Sequence, residues 1–296
     1  MKKQSWIEKD VIFVTGFRKK VASTGLTGGS IRSFRRQIYK YYKTVGRDDL
    51  TWRNTNDPYH ILVSEIMLQQ TQVERVKRKY AEFIAAFPTL KHLADAPLSK
   101  VMKVWQGMGY NRRALMLKRA AECVIKEHGG ELPNDIETLR TLPGIGAATA
   151  CEIASFAFDQ PTVFIETNIR TVFIHFFFDE STAVHDKEIM PLIERTLDRK
   201  DPRHWYYALM DYGVMLKAVY PNPSRRSVHY KKQSAFHGSD RKIRGGVIRV
   251  LTARERTTIR SLVKELEAPE YRVKKNVEKL VKEGLVKQQK NSFCIA

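Results

Sequence analysis

Two carboxylates and a glycine-rich turn between them are the residues of this sequence whose types and spacing could do chemistry. Glu65 falls in the run DPYHILVSEIMLQQTQVERV, residues 57–76. Leu62, Ile66, Val73, Val76 and Tyr80 recur at helical spacing, and Glu65 sits inside that apolar stripe. An ionised Glu on an apolar face is costly unless it is paired, which favours the neutral acid and makes a usable proton donor. A core Glu satisfied by a local hydrogen bond is the other reading. Glu166, about a hundred residues downstream, lies in PTVFIETNIRTVF, where Glu166, Thr167 and Asn168 open an apolar helix. Thr167 or Asn168 could simply cap that helix, and Glu166 could complement its dipole. Between the carboxylates stands LPGIGAATACEIASFAF, residues 142–158. Here a helix stops at Pro143, Gly144 and Gly146 permit a tight hairpin with exposed amides, and a helix rich in small residues restarts at Ala147. Free amides at a helix start suit an anion, and glycines let a phosphate come close; a Pro-Gly turn between two ordinary helices has the same letters.

Charge narrows the partner. Of 296 residues, 52 are Lys or Arg and 32 are Asp or Glu, a formal net charge of +20. Such an excess favours a polyanion, nucleic acid ahead of a membrane surface, because the basic residues are not gathered on one amphipathic helix. The three cysteines, Cys123, Cys151 and Cys294, are scattered without a C-x-x-C pair, which argues against a disulfide framework or a thiolate metal site and suits a reducing interior. The apolar stretch 11–14 is too short for an export signal or a membrane span, so a cytoplasmic, nucleoid-associated or nuclear monomer is expected, not a secreted one.

The elements that must position these groups are mostly helices. Residues 1–30 end in STGLTGGS and read as a flexible extension; Ile31, Phe34, Ile38, Tyr41 and Tyr42 then mark a helix. Loops are expected at 87–90, 107–111 and 128–135, and a short strand at 160–164. Past about residue 238 the pattern changes. GGVIRVLT (245–252) reads as a strand, TIRSLVKELE as a short helix, YRVKKNVEKLVKEGLV as a longer helix with Val273, Val277, Leu280 and Val281 inward, and KNSFCIA as a second strand. With Arg272, Lys274, Lys275, Lys279 and Lys282 on the outer face of the longer helix, this module resembles a winged helix-turn-helix, which could bind DNA or dock a protein.

DLTWRNTNDPYHILVSEIMLQQTQV, WQGMGYNRRA, LPGIGAATA and FIETNIRTVF, in this order and spacing, resemble the helix-hairpin-helix (HhH-GPD) DNA glycosylase superfamily, nearest its adenine-mismatch (MutY) branch, over residues 31–238. The resemblance implies a mainly α, two-lobed fold with a DNA-binding cleft between the lobes and a small α/β winged-helix-like C-terminal module. The expected division is a 1–30 extension, one lobe of 31–51 plus 165–237, a hairpin-bearing lobe of 52–164, and the module at 238–296. Position by position, Glu65 matches the acid that protonates the departing purine, Glu166 the carboxylate facing the sugar, and Asn168 an amide beside it. Gln70 and Tyr110 match wedges in the base stack. Gly144, Ile145, Gly146, Ala147 and Thr149 match the hairpin's grip on the DNA backbone, which carries no base specificity. Breaking an N-glycosidic bond builds positive charge on the sugar and negative charge on the base, so an acid at one and an anion under the other lower the barrier together. The target base must first be flipped out of the duplex, at a cost of roughly a few kcal/mol.

The chain departs from the family at three places. The second carboxylate is Glu166 where Asp is usual, a shift of about 1.5 Å for one extra carbon–carbon bond. Ala148 stands where strand-cleaving relatives carry a nucleophilic Lys, so a monofunctional enzyme is expected. The four iron–sulfur cysteine positions hold Lys217, Ser224, Ser227 and Gln233, so no cofactor is expected; Arg225 and Arg226 in that loop could touch phosphates. In place of the Nudix-like domain of the adenine branch comes the winged-helix-like module. Together these imply a base-excision enzyme acting on mispaired or damaged duplex DNA, adenine opposite guanine or 8-oxoguanine first. Uracil or thymine removal from mismatches, and a catalytically inactive DNA-binding protein, are the alternatives.

Overall fold

The computed structural model describes residues 2–179, 183–232, 236 and 238–296, without the side chains of residues 2–5 and 9. Fifteen α-helices and one β-hairpin are seen among them: α1 (Lys2–Thr24), α2 (Gly28–Val45), α3 (Pro58–Leu68), α4 (Val73–Ala86), α5 (Leu90–Asp95), α6 (Leu98–Val104), α7 (Arg112–Glu127), α8 (Ile136–Thr141), α9 (Ala147–Phe158), α10 (Thr167–Phe177), α11 (Asp186–Thr196), α12 (Pro202–Val219), α13 (Asp240–Arg254), α14 (Ile259–Leu266), α15 (Glu270–Lys282), β1 (Val286–Gln289) and β2 (Ser292–Ile295). The chain divides into two compact units, 1–54 with 154–232 and 55–153 with 233–296. The predominantly helical, two-lobed reading holds; the boundaries differ, because α13 packs on α6 and makes the C-terminal module part of the second unit.

In the first unit, Phe34 of α2 is fully buried, with its ring edge-on to Phe173, Phe176 and Phe177 of α10 and Trp205 of α12. Aromatic pairs of this kind contribute roughly 0.5–1.5 kcal/mol each beyond simple area burial. Residues 2–24 correct the expectation of a flexible extension. Trp6, Asp10, Val14 and Phe17 recur at one helical face and are buried, and Phe17 joins the same aromatic cluster. STGLTGGS is a helix junction: Gly25 takes φ +69° after α1, and Thr27 caps α2 in a reciprocal pair with Ser30. Asp10, fully buried, accepts hydrogen bonds from the Tyr212 and Tyr220 hydroxyls, the latter at 2.8 Å, and lies 2.9 Å from His175 Nε2. Asp211 of α12 likewise receives Arg47 and Arg53, each through two donors. No strand forms at 160–164, where the chain is irregular and Thr162 is tied to Ser155 and Tyr206.

In the second unit, the run 57–76 is two helices and not one. α3 opens with Asp57 as cap and Pro58 in its first turn, then ends at Leu68; Gln70 turns with φ +52° before α4. The apolar period continues across the break, so the stripe read from sequence joins residues of separate helices. Residues 245–252 belong to α13, capped by Ser239, with Ile243, Val247, Ile248 and Leu251 buried at helical spacing. Gly246 lies where α13 crosses α14, and a Cβ there would stand 2.4 Å from Leu266 Cδ2, so that side chain would have to shift. β1 and β2 pair antiparallel, and Thr257 adds a bridge to Phe293, which completes a winged-helix order of three helices and a wing. Val273, Val277 and Leu280 are buried as expected, whereas Val281 is only half-buried and Arg272 turns back to pair with Asp240 at 2.7 Å.

Candidate active site

α3 presents Glu65 from a helix with buried neighbours on nearly every side, and Glu65 itself is 9% exposed. The Ser64 hydroxyl, which donates to the Ile61 carbonyl at 2.8 Å, lies 3.5 Å from Glu65 Oε1. At the end of this helix Gln69 Nε2 donates to Thr149 Oγ1 at 3.2 Å, so the segment bearing the acid is fastened to the first turn of α9.

That first turn completes the hairpin. Gly144 has φ +82°, and a Cβ on it would lie 2.6 Å from Met116 Cβ of α7, so both its conformation and its close approach require glycine. Gly144, Gly146, Ala147 and Ala148 are exposed, and the first amide of the helix to find a backbone acceptor is Ala150, on the Gly146 carbonyl at 2.9 Å. The amides before it are therefore open to an anion. Ile145 and Thr149 do not share that role through their side chains: both are buried, and the Ile145 amide already donates to the Leu142 carbonyl. An apolar side chain in the middle of the turn is what anchors the hairpin to the core.

Gln70 and Tyr110, expected as wedges, both occupy the left-handed region, φ +52° and +48°, which is strained backbone for non-glycine residues. One side chain missed from sequence holds both turns. Arg113 of α7 donates to the carbonyls of Ile66, Met67 and Gln69 and to Thr71 Oγ1 on one side, and to the Gly109 carbonyl on the other. Burial pushes this guanidinium down to about 10, still charged at neutral pH, with Arg75 acting in the same direction. The sequence showed only an RR pair, with nothing to separate exposed Arg112 from Arg113.

The second carboxylate lies in the first unit. Glu166 is the N-cap of α10: its Oε1 accepts from the amides of Asn168 (2.6 Å) and Ile169 (2.8 Å), while Oε2 accepts from Asn168 Nδ2 at 3.2 Å. Neither Thr167 nor Asn168 caps the helix; the longer Glu reaches its own helix start. The Asn168 side chain is fixed from its other end by Lys217 of α12, whose Nζ donates to Asn168 Oδ1 at 2.7 Å. Burial pushes the Lys217 ammonium below the usual lysine value, while the Glu166 charge opposes that shift. Gly213, one turn before Lys217, allows the approach, since a Cβ there would lie 2.4 Å from the Asn168 carbonyl oxygen. Nothing in the local pattern marks this pairing, because 49 residues separate Lys217 from Asn168.

In the loop after α12, Arg225 is exposed, whereas Arg226 is half-buried and turned back on its own unit. Its guanidinium donates to the Ile174 carbonyl at 3.0 Å and to the Asp179 carbonyl at the end of α10. Ser224 and Ser227 are buried, the first bonded to Asn222 and the second paired with Val184, so ordinary packing holds this loop. Gln233 lies outside the described residues. With three cysteines, this chain cannot supply the four thiolates of a four-cysteine iron–sulfur cluster. Among the described residues, Cys123, Glu127 and His128 bring ligand atoms within 4.8 Å of one another at the end of α7.

The second unit thus carries a hairpin of exposed amides fastened to a helix with a buried acid, and the first a carboxylate that caps its own helix; the comparisons give the class. The HhH-GPD superfamily base excision DNA repair profile matches residues 63–198. The adenine DNA glycosylase of Mycobacterium tuberculosis is 31% identical over 244 residues, 74% of this chain and 78% of that protein. Those of Buchnera aphidicola (subspecies Baizongia pistaciae) and of the rat are 34% and 36% identical, each over 62% of this chain but only 52% and 38% of their own lengths. Among solved structures, a thermostable thymine-DNA glycosylase superposes with a TM-score of 0.57 at 26% identity, covering 65% of this chain and 90% of that one. An endonuclease III–DNA complex gives 0.53 at 20% identity, over 63% and 86%, and bears on the fold alone. The chain belongs to the HhH-GPD superfamily, in its adenine DNA glycosylase branch. It spans about half the length of the Buchnera relative, and no helix among the described residues is long and apolar enough to cross a membrane.

Proposed function

We propose that this protein is a monofunctional DNA glycosylase that flips a mispaired or damaged base out of duplex DNA and hydrolyses its glycosidic bond, with adenine opposite guanine or 8-oxoguanine as substrate. One observation carries the reading: the helix bearing buried Glu65 is hydrogen-bonded through Gln69 to the hairpin whose free amides face solvent. A grip on phosphate and a proton donor on one rigid piece are what base removal requires. Glu65 acts as the acid at the leaving purine. Glu166, oriented by two amides and by Asn168, supplies the anion under the sugar, and Asn168 is held for that by Lys217. Gln70 and Tyr110 enter the base stack, and Gly144, Gly146, Ala147 and Arg225 lie against the backbone. Ala148 offers no amine, so the sugar is left intact and the strand uncut. Lys217, Ser224, Ser227 and Gln233 take the places of the cluster cysteines; Lys217 has been turned to the service of Asn168.

A second reading has support in the thermostable thymine-DNA glycosylase, whose fold this chain shares at 26% identity. A panel of A:G, A:8-oxoguanine, T:G and U:G duplexes separates the two. Alkali-labile sites are expected on the adenine duplexes, and strand breaks only after hot alkali. Sites confined to T:G or U:G would transfer the substrate to the pyrimidines.

A further inference from the structure

The second unit contains a groove of about 920 Å³ that the sequence did not announce. One wall carries the two strained turns, with Gln70 and Tyr110; the other is α13 of the winged-helix module. Six arginines line it, Arg75, Arg112, Arg113, Arg241, Arg244 and Arg249, against one acid, Glu283. Three of the six have structural duties. Arg113 holds the turns, Arg244 pairs with Glu283 at 2.5 Å, and Arg241 donates to the Tyr110 hydroxyl at 2.9 Å. Arg75, Arg112 and Arg249 are exposed, and among the described residues none of them pairs with an acid.

The face a winged helix would ordinarily turn to DNA is the third helix. Here that face is partly occupied: Arg272 is bound to Asp240 and the Gly238 carbonyl, and Lys274 to Glu270. α13, by contrast, is docked on α6, with Gln106 bonded to Thr252 and Arg241 to Tyr110, so its arginines share one groove with both proposed wedges.

We propose that the winged-helix module binds duplex DNA through its first helix, α13, with Arg249 on one wall and Arg75 and Arg112 on the other taking phosphates of the strand that passes Tyr110. The inference rests on the proposed function for the presence of duplex DNA at Gln70 and Tyr110. Charge selects the partner: a groove with six arginines against one acid matches a phosphodiester backbone, and guanidinium–phosphate contacts release counterions on binding. In this arrangement the module extends the footprint without reading base edges, because phosphate contacts carry no sequence information.

The test is a fluorescence-anisotropy titration of the full chain with an A:G duplex and its matched A:T counterpart between 50 and 200 mM salt. Parent, R112A/R249A and K275A/K279A are compared, with thermal melting as a check that the exposed substitutions leave the fold intact. Each lost phosphate contact lowers the slope of log affinity against log salt by about 0.9, so R112A/R249A is expected to lose nearly two, equivalent to about tenfold across this range. The loss should be equal on both duplexes, and K275A/K279A should retain the parent slope. A slope reduced only by K275A/K279A would assign DNA to the third helix and overturn the proposal. Parent slopes for both variants would make the module a protein-docking one and overturn it as well. Because the readout needs no turnover, a lowered slope in a protein that releases no base would sink the catalytic reading and leave the groove assignment standing.

Discussion

Glu65 sits in mid-helix, packed among buried residues of α3 with the Ser64 hydroxyl beside it, whereas Glu166 stands one residue outside α10 and is held by two amides, Asn168 and, through it, Lys217. The first is set within a packed stretch of helix; the second is held by a hydrogen-bonded helix cap. The difference matters for chemistry, because burial favours the neutral form of an acid that must give up a proton, while amide donors favour the charged form of an anion that must face a developing cation. It also matters for mutagenesis. A change at position 65 alters the proton with little effect on the backbone, but a change at 166 removes a helix cap worth about 1 kcal/mol along with the charge.

Substitutions can break this comparison at either end. Glu65→Gln keeps the shape and removes the acid, so single-turnover base release should fall by roughly 100- to 10,000-fold while DNA affinity is kept. A variant that releases base at the parent rate would reduce Glu65 to a packing residue. Glu166→Asp keeps a capping carboxylate but withdraws it by about 1.5 Å; the expected loss is on the order of a hundredfold in the same assay. An equal or faster rate would show that the shorter side chain suits the sugar better and that the parent is a slow enzyme.

Smaller effects sharpen the role of the network behind Glu166. Lys217→Met leaves the Asn168 amide held only by Glu166, and the turnover rate should drop on the order of tenfold, the equivalent of one charged hydrogen bond, with binding unchanged. Since burial lowers the Lys217 ammonium's pKa, its charge is lost at a lower pH than that of an exposed lysine. Activity should therefore decline as pH rises through that lowered value. Lys217→Arg, which stays charged, should move the decline to higher pH; an unmoved alkaline limb would separate Lys217 from the chemistry. Gly213→Ala forces a Cβ against the Asn168 carbonyl and should cost about 1–3 kcal/mol in urea unfolding.

The sequence made some of this visible and hid the rest for physical reasons. The hairpin was readable because only glycine can occupy Gly144, with its positive φ and its contact with Met116. The helical body was readable from its 3.6-residue period. The break between α3 and α4 was not, since Gln69, Gln70 and Thr71 fall at positions where a polar residue leaves the period undisturbed. α13 looked like a strand because Val, Ile and Thr favour one locally, while burial against α6, α14 and α15 decided for a helix. Arg226 looked like a phosphate ligand by charge alone, and its capping of α10 depends on residues some fifty positions away. Lys217 was read as a missing cluster ligand. What it touches, Asn168, is a matter of tertiary structure that no local pattern records.

The most direct measurement is chromatographic quantification of the free base released from an A:8-oxoguanine duplex by the parent protein in single turnover. Free adenine should appear in step with abasic sites, with the strand intact until alkali is added. Tight binding of that duplex with no base released from it would contradict the account at its centre.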